Sequence, residues 1–357
     1  MGGRRIVKLL VSALEPSANV HLTSLHNELP DSVEFIGIFD KKLGDPIVDL
    51  NSLAIMGFVD ALKKLRFFFK LRDEMLALAK DADKVLLMDS SGFNLPLAKS
   101  LKNAYPDKEI IYYILPQAWA WKQKRIPVLA RTIDHLCSIL PFEKDYYPPK
   151  APITYVGHPL LDQIRRFKSA PTQNGVIAFM PGSRSGEIKR LMPIFRQLRL
   201  RFKERALLVV PSAFDQEKIN AIYGDTQGFE ISYNTHDALF ESDFAFICSG
   251  TATLEAALIG TPFVLGYIAR KFDAMIARML VKLNYVGLAN IMFEKMNGGR
   301  LHPELLQEAV SSDAFFNAYE RMNANAFFED AQQLKQYLSH GSAKAVAQIL
   351  LHREVAD

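Results

Sequence analysis

An aspartate that closes a strongly apolar run is well placed for acid–base work. In Lys84-Val-Leu-Leu-Met-Asp-Ser-Ser-Gly-Phe-Asn94, Asp89 follows a strand-forming stretch. Hydrophobic walls raise a carboxyl pKa toward that of a useful general base. The same position also suits an N-cap or Asx turn for a helix beginning near Asn94. A second pattern, Asp243-Phe-Ala-Phe-Ile-Cys-Ser-Gly-Thr-Ala-Thr-Leu-Glu255, ends a buried strand and opens a helix with small residues. Ser249, Gly250, Thr251 and Ala252 let an anion approach backbone N–H groups, where a helix start carries roughly half a positive charge. Glu255 can accept hydrogen bonds from ribose hydroxyls. A plain strand–helix turn capped by Ser249 or Thr251 fits the same residues.

Two further loops carry polar groups. In Met180-Pro-Gly-Ser-Arg-Ser-Gly-Glu187, Arg184 offers a planar donor fork suited to a diphosphate, while Ser183 and Ser185 can cap the next helix. A solvated turn with Arg184 paired to Glu187 is the alternative. Glu15-Pro-Ser-Ala-Asn19 reads either as a helix start, with Pro16 near N1 and Ser17 as the cap, or as a polar wall of a cleft. Trp119 and Trp121 share one loop, where they can hold an apolar substrate part or fill a core. His158, in Val-Gly-His-Pro, reads as structural.

The elements that must position these loops follow from the alternation of apolar runs with amphipathic segments. RIVKLLVSAL, VEFIGIF, KVLLMD, EIIYYIL, DHLCSIL and ITYVG precede a turn-rich stretch; VIAFMPG, ALLVVP, FEISY, DFAFICSG and PFVLGY follow it. This βαβ rhythm, running twice, predicts an α/β protein of two Rossmann-like, doubly wound parallel-sheet domains facing a cleft. The expected boundaries are residues 1–165 and 166–339, joined near residues 160–172. The tail is helical by pattern, and its last part, about 340–357, can pack back on the first domain.

The chain has 357 residues, 49% of them hydrophobic and 23% charged, which excludes intrinsic disorder. A net charge of +4 is too mild to predict nucleic-acid binding. No G-x-G-x-x-G follows the first strand and no P-loop occurs. Cys137 and Cys248 sit in apolar runs and read as reduced and buried; no zinc-ligand spacing is present, so neither metal nor cofactor is expected. Lys8 interrupts an amino-terminal run that is already short for a signal peptide, and no uncharged run reaches the ~18 residues of a membrane span. A soluble or peripheral protein is expected. The basic amphipathic stretch Met56–Arg72 supplies Lys63, Lys64 and Arg66 beside Phe67-Phe68-Phe69, a triplet that wraps round a helix and cannot all face inward. It suits an anionic membrane surface, as does the stretch Ala269–Lys282.

Taken together, Val11-Ser-Ala-Leu-Glu-Pro-Ser17, Leu53-Ala-Ile-Met-Gly-Phe-Val59, Asp89 with Phe93-Asn94, Ala118-Trp-Ala-Trp-Lys-Gln-Lys-Arg125, Leu140-Pro-Phe-Glu-Lys144, Val156-Gly-His-Pro159, Pro181-Gly-Ser-Arg184 and Ser249-Gly-Thr-Ala-Thr-Leu-Glu255 occur in an order that resembles the lipid-A-disaccharide synthase family. The resemblance spans most of the chain. It implies a metal-independent GT-B glycosyltransferase that joins UDP-2,3-diacylglucosamine to 2,3-diacylglucosamine 1-phosphate (lipid X) through a β-1,6 link, releasing UDP. It further implies a cytoplasmic enzyme, peripheral on the inner membrane, and a homodimer. Asp89 would be the base and Glu15 an acidic residue of the same site. Arg184, Ser249 to Thr251, Glu255 and Asn290 of Gly-Leu-Ala-Asn would contact UDP or lie near it, and Ser17, Asn94, Ser183, Glu187 and Ala252 would line the substrate sites. Asn19 and Gly92 stand where the family often has carboxylates. Another GT-B UDP-sugar enzyme, such as an epimerase, and a non-catalytic UDP or lipid binder are the rival readings.

Overall fold

The computed structural model describes residues 6–48, 50, 61–248, 250–268 and 283–351, with residues 61–65 and 121 described by backbone alone. The Phe58 end of the first basic stretch, residues 269–282 and Ser249 lie outside the described residues. The chain forms two compact units, Met1–Gln163 with His340–Asp357, and Ile164–Ser339.

The first unit is built on a six-stranded parallel sheet: β1 (Val7–Ser12), β2 (Val33–Ile38), β3 (Lys84–Met88), β4 (Ile110–Tyr113), β5 (His135–Ser138) and β6 (Ile153–Tyr155), in the order β2-β1-β3-β4-β5-β6. Its strands read as near-continuous apolar runs because helices cover both faces. One face, with Leu10, Val85, Leu87, Ile110 and Tyr112, packs against helices Ala61–Leu78, Ser91–Ala104 and Ile126–Thr132. The other, with Leu9, Val11, Leu86, Met88, Ile111 and Tyr113, takes helix Pro16–His26 and Val346, Ala347 and Leu350 of the returning helix Ala343–Leu351. Asp162 fixes that return: its Oδ2 accepts from Ser342 N at 2.8 Å and Ala343 N at 3.1 Å. From β1 the chain goes outward to β2 on one side, and β3, next in the chain, lies on the other side of β1. The chain therefore reverses direction between β1 and β3, and ligands of such sheets bind beyond the strand ends at that point.

The second unit repeats the plan with β7 (Val176–Met180), β8 (Arg205–Val209), β9 (Glu230–Ser232), β10 (Phe244–Ile247), β11 (Phe263–Tyr267) and β12 (Glu304–Leu306), all parallel, ordered β12-β11-β10-β7-β8-β9. Here the reversal falls between β7 and β10. Every residue of β7 and β10 is buried, and Phe179, Phe195, Phe246 and Phe315 pack edge-on or tilted across one face. The short edge strand β12 is absent from the strands expected of the sequence.

Candidate active site

In the first unit, the β1 and β3 ends bring Glu15 and Asp89 together. Asp89 and Ser90 adopt φ of +47° and +36°, a left-handed pair that non-glycine residues rarely take. Such strain, of order 1–3 kcal/mol per residue, persists only where neighbours enforce it. The enforcers are buried. Asn94 Nδ2 donates to Met88 O at 2.9 Å and Asp89 O at 3.0 Å, its Oδ1 accepts from Ser12 Oγ at 2.6 Å, and the Tyr112 hydroxyl also donates to Asp89 O. This pins the backbone of Asp89 and leaves its half-buried carboxyl at the surface of the turn, where Oδ1 accepts from Ser90 N at 2.8 Å. Ser90 Oγ in turn donates to Glu15 Oε1 at 3.2 Å. Burial raises the Asp89 pKa above the ordinary aspartate value, and the neighbouring Glu15 charge raises it further.

Several expectations change here. Asp89 does not cap the helix, which starts at Ser91 with Ser90 in the N-cap position. Asn94 spends both polar atoms on the turn, so it fixes the backbone that carries Asp89. Ser17 is not a cap either: Pro16 occupies the first helical turn, Glu15 is the N-cap residue, and Ser17 lies exposed inside the helix. Asn19 ties the loop with its amide, donating to Ala13 O at 2.8 Å and accepting from Asp40 N at 2.7 Å. Tyr112, Ser12 and Ser90 went unnoticed in the sequence, where a tyrosine within an apolar strand reads as core. Trp119 is core, its ring edge-on to Phe142 at 4.9 Å. His158 is buried and accepts from Leu160 N at 3.3 Å, as a structural histidine does; burial lowers its pKa to about 3.

A second acid of this unit is deeply buried. Glu143 accepts from Ser138 Oγ at 2.6 Å through Oε2, while Oε1 has no partner, and burial pushes its pKa up to about 8. Unfolded chains lose this proton near the ordinary value and the folded protein only near pH 8, so stability falls as pH rises through that window. Glu143→Gln removes the titration. Unfolding free energies from urea titration should match wild type near pH 4 and exceed it by pH 8.5, by on the order of 1–3 kcal/mol; equal free energies at both pH values would contradict a protonated Glu143.

In the second unit, β7 and β10 are neighbours with Met180 opposite Ile247, and Cys248 N donates to Met180 O at 2.8 Å. The Pro181–Arg184 and Gly250–Thr251 loops therefore leave the sheet side by side. Gly182, at φ +100°, must be glycine: a Cβ there would stand 2.8 Å from Glu187 Oε2. Gly250, at φ +137°, needs glycine for its backbone alone, since nothing stands within 4 Å of a Cβ. Helix Ser185–Arg199 begins with Arg184 as N-cap and no side-chain cap, so Ser183 and Ser185 do not cap it and lie exposed. The Arg184 side chain is 82% exposed and pairs with Glu187 at 3.2 Å. Only the arginine end of this pair is open to water, since Glu187 is buried. Ala252 opens helix Ala252–Ile259, and Glu255 lies largely buried in its first turn, 3.9 Å from His236. Burial raises the Glu255 pKa to about 7 against a hydrogen bond from Thr251.

Asn290, expected to contact UDP or lie near it, has its polar atoms engaged within the fold. It is fully buried, its Oδ1 accepting from Leu301 N at 2.7 Å and His302 N at 3.0 Å, its Nδ2 donating to His302 O and Glu304 Oε1, both at 2.9 Å. An amide so engaged holds helix Leu288–Asn297 to β12 and has nothing left for UDP. Among the described residues, no three His, Cys, Asp or Glu side chains gather as metal ligands.

The model of the family described as lipid-A-disaccharide synthetase matches residues 9–351. The lipid-A-disaccharide synthase of Helicobacter pylori (strain G27) is 49% identical over 352 residues, covering 95% of this chain and 96% of the relative. This chain belongs to the lipid-A-disaccharide synthetase family. It is accordingly a glycosyltransferase of lipid A biosynthesis. The calicheamicin glycosyltransferase CalG4 is similar in fold, with a TM-score of 0.62 at 14% identity over 99% of this chain and 100% of that one. So is a UDP-GlcNAc 2-epimerase from Neisseria meningitidis, solved bound to UDP-GlcNAc, at TM-score 0.58 and 12% identity over 97% and 99%. The fold is thus of GT-B type. One fold serves a transferase and an epimerase, so membership of the synthetase family, and not the fold, selects between them.

Proposed function

We propose that this synthetase carries out one inverting displacement, joining UDP-2,3-diacylglucosamine to 2,3-diacylglucosamine 1-phosphate through a β-1,6 link. The acceptor hydroxyl oxygen attacks the donor anomeric carbon, and the bond from that carbon to the diphosphate breaks on the opposite face. Asp89 takes the hydroxyl proton and later returns it to water, while the electron pair of the broken bond leaves with UDP. The observation that carries this reading is the strained turn at the end of β3, which aims a carboxyl of raised pKa outward from a sheet's reversal point. Arg184 and the backbone N–H groups of the Gly250–Ala252 turn suit the charge that develops on the departing diphosphate. Glu255 and Ser249 complete the proposed nucleotide site.

Mass spectrometry of products after incubation with the two diacylated sugars tests the reading. A disaccharide 1-phosphate with stoichiometric UDP supports it. UDP binding without a coupled product, or donor epimerisation, would replace it with one of the rival readings.

We further propose that the enzyme works at an anionic membrane surface. No helix among the described residues is long and apolar enough to cross a membrane. In helix Ala61–Leu78, Phe67 packs on the core while Phe68 and Phe69 are 36% and 50% exposed. Phe68 also contacts Phe93, three residues beyond Ser90, at 5.8 Å. An apolar track thus leads from the exposed helix to the catalytic turn, and acyl chains, at about 0.8 kcal/mol per buried methylene, gain by following it. The double change Phe68→Ser with Phe69→Ser is expected to weaken flotation with anionic liposomes about tenfold or more, with little effect on detergent-dispersed substrate. Unchanged flotation would remove this helix as the contact.

A further inference from the structure

Arg125 lies on the same rim as Asp89, yet no carboxylate among the described residues pairs with it. It ends the turn Gln123–Arg125 beyond β4, the strand next to β3, and its side chain is half-buried. One guanidinium nitrogen, Nη1, donates to Ser91 Oγ at 2.5 Å, which aims the fork at the turn carrying Asp89. The charge also reaches the Tyr112 hydroxyl, the group that pins the Asp89 carbonyl. Arg125 is not paired with the Asp89 carboxyl, whose Oδ1 accepts from Ser90 N at 2.8 Å instead. Space is open here as well: a Cβ added at Gly92 would meet nothing within 4 Å.

The surroundings call for a cation. Glu15 and Asp89 bring two carboxyl groups to one turn, and an acceptor that carries a negative charge would be repelled by them at close range. A guanidinium has five donors in a rigid fork, and the bond to Ser91 uses one of them while fixing the plane of the rest. Two parallel N–H groups of such a fork match the oxygens of a phosphomonoester.

We propose that Arg125 binds the anomeric phosphate of the acceptor, so that the sugar is held with its free hydroxyl toward Asp89. This rests on the reading of the reaction given above, in which the acceptor is a sugar phosphate. Arg125 is then a specificity-determining residue: it selects a phosphorylated acceptor over the same lipid without phosphate.

The test is a cycle of two enzymes and two acceptors. Wild type and Arg125→Gln are assayed with 2,3-diacylglucosamine 1-phosphate and with 2,3-diacylglucosamine, following UDP release. With the phosphorylated acceptor, Arg125→Gln should raise the acceptor KM about 10- to 100-fold, with the donor KM and kcat within about threefold. With the unphosphorylated acceptor the two enzymes should be alike, both showing the raised KM. Arg125→Lys, which keeps the charge and loses the fork, should fall between. An equal loss for both acceptors would make Arg125 a prop for Ser91 and overturn the proposal, as would an unchanged KM for the phosphorylated one. If wild type turned over neither acceptor while still binding UDP, the reaction itself would be misassigned, a failure separate from that of Arg125.

Discussion

Asp89→Asn is expected to lower kcat by about 10²- to 10⁴-fold while UDP affinity stays within about twofold. Asparagine suits this experiment because it tolerates a positive φ and its Oδ1 can still accept from Ser90 N, so the strained turn survives. What disappears is the proton acceptor alone. A tenfold change in rate corresponds to about 1.4 kcal/mol, so the loss equals roughly 3–6 kcal/mol of transition-state stabilisation. The wild-type pH profile supplies an independent sign. A base must be ionised to act, and the Asp89 pKa is raised, so kcat/KM should fall on the acid side at a pH above the ordinary aspartate value. That limb should be missing in the variant. Single-turnover UDP release, with calorimetry of UDP binding, measures both halves; near-normal turnover in Asp89→Asn would remove Asp89 as the base.

The contrast between Asp89 and the two buried asparagines shows what the sequence could and could not convey. A charged residue closing an apolar strand must find solvent, so its place at a strand end was readable from hydrophobicity alone. The alternation of apolar runs likewise announced two parallel sheets. The strand order was not readable, because pairings such as β1 with β3 and β7 with β10 join segments far apart in the chain. Those pairings put the Glu15 loop beside Asp89 and the Arg184 loop beside Gly250. Asn94 and Asn290 sit in the first turns of helices and turn inward, and an amide's direction depends on which carbonyls the fold leaves unpaired, a tertiary property. The cap expected at Ser17 lies two residues earlier for a local reason: Pro16 takes the first helical position, which puts the N-cap on Glu15. Edge strand β12 is three residues of Glu-Leu-Leu set between Pro303 and Gln307-Glu308, so no apolar run marks it.

Asn290→Ala should destabilise the protein by about 2–4 kcal/mol while leaving UDP affinity within about threefold. The wild-type amide satisfies two backbone N–H groups, one carbonyl and one carboxylate oxygen, all in a site closed to water. Alanine takes these bonds from the Leu301 and His302 N–H groups and the His302 carbonyl, and an unsatisfied buried polar group costs far more than the net worth of an ordinary hydrogen bond. Glu304 makes the loss worse. Its Oε1 also accepts from Gly287 N at 3.0 Å and its Oε2 from Val286 N at 2.8 Å, so removing one donor weakens the clamp on the start of helix Leu288–Asn297. Asn290→Asp should be at least as damaging, because it keeps the acceptor for Leu301 and His302 but sets a second carboxylate against Glu304. Urea unfolding gives the stability change, and calorimetry well below the transition gives the affinity. A variant of normal stability that had lost tenfold or more in UDP affinity would return Asn290 to direct contact with the nucleotide. The structure predicts the opposite pattern because every polar atom of this side chain is already committed to the fold.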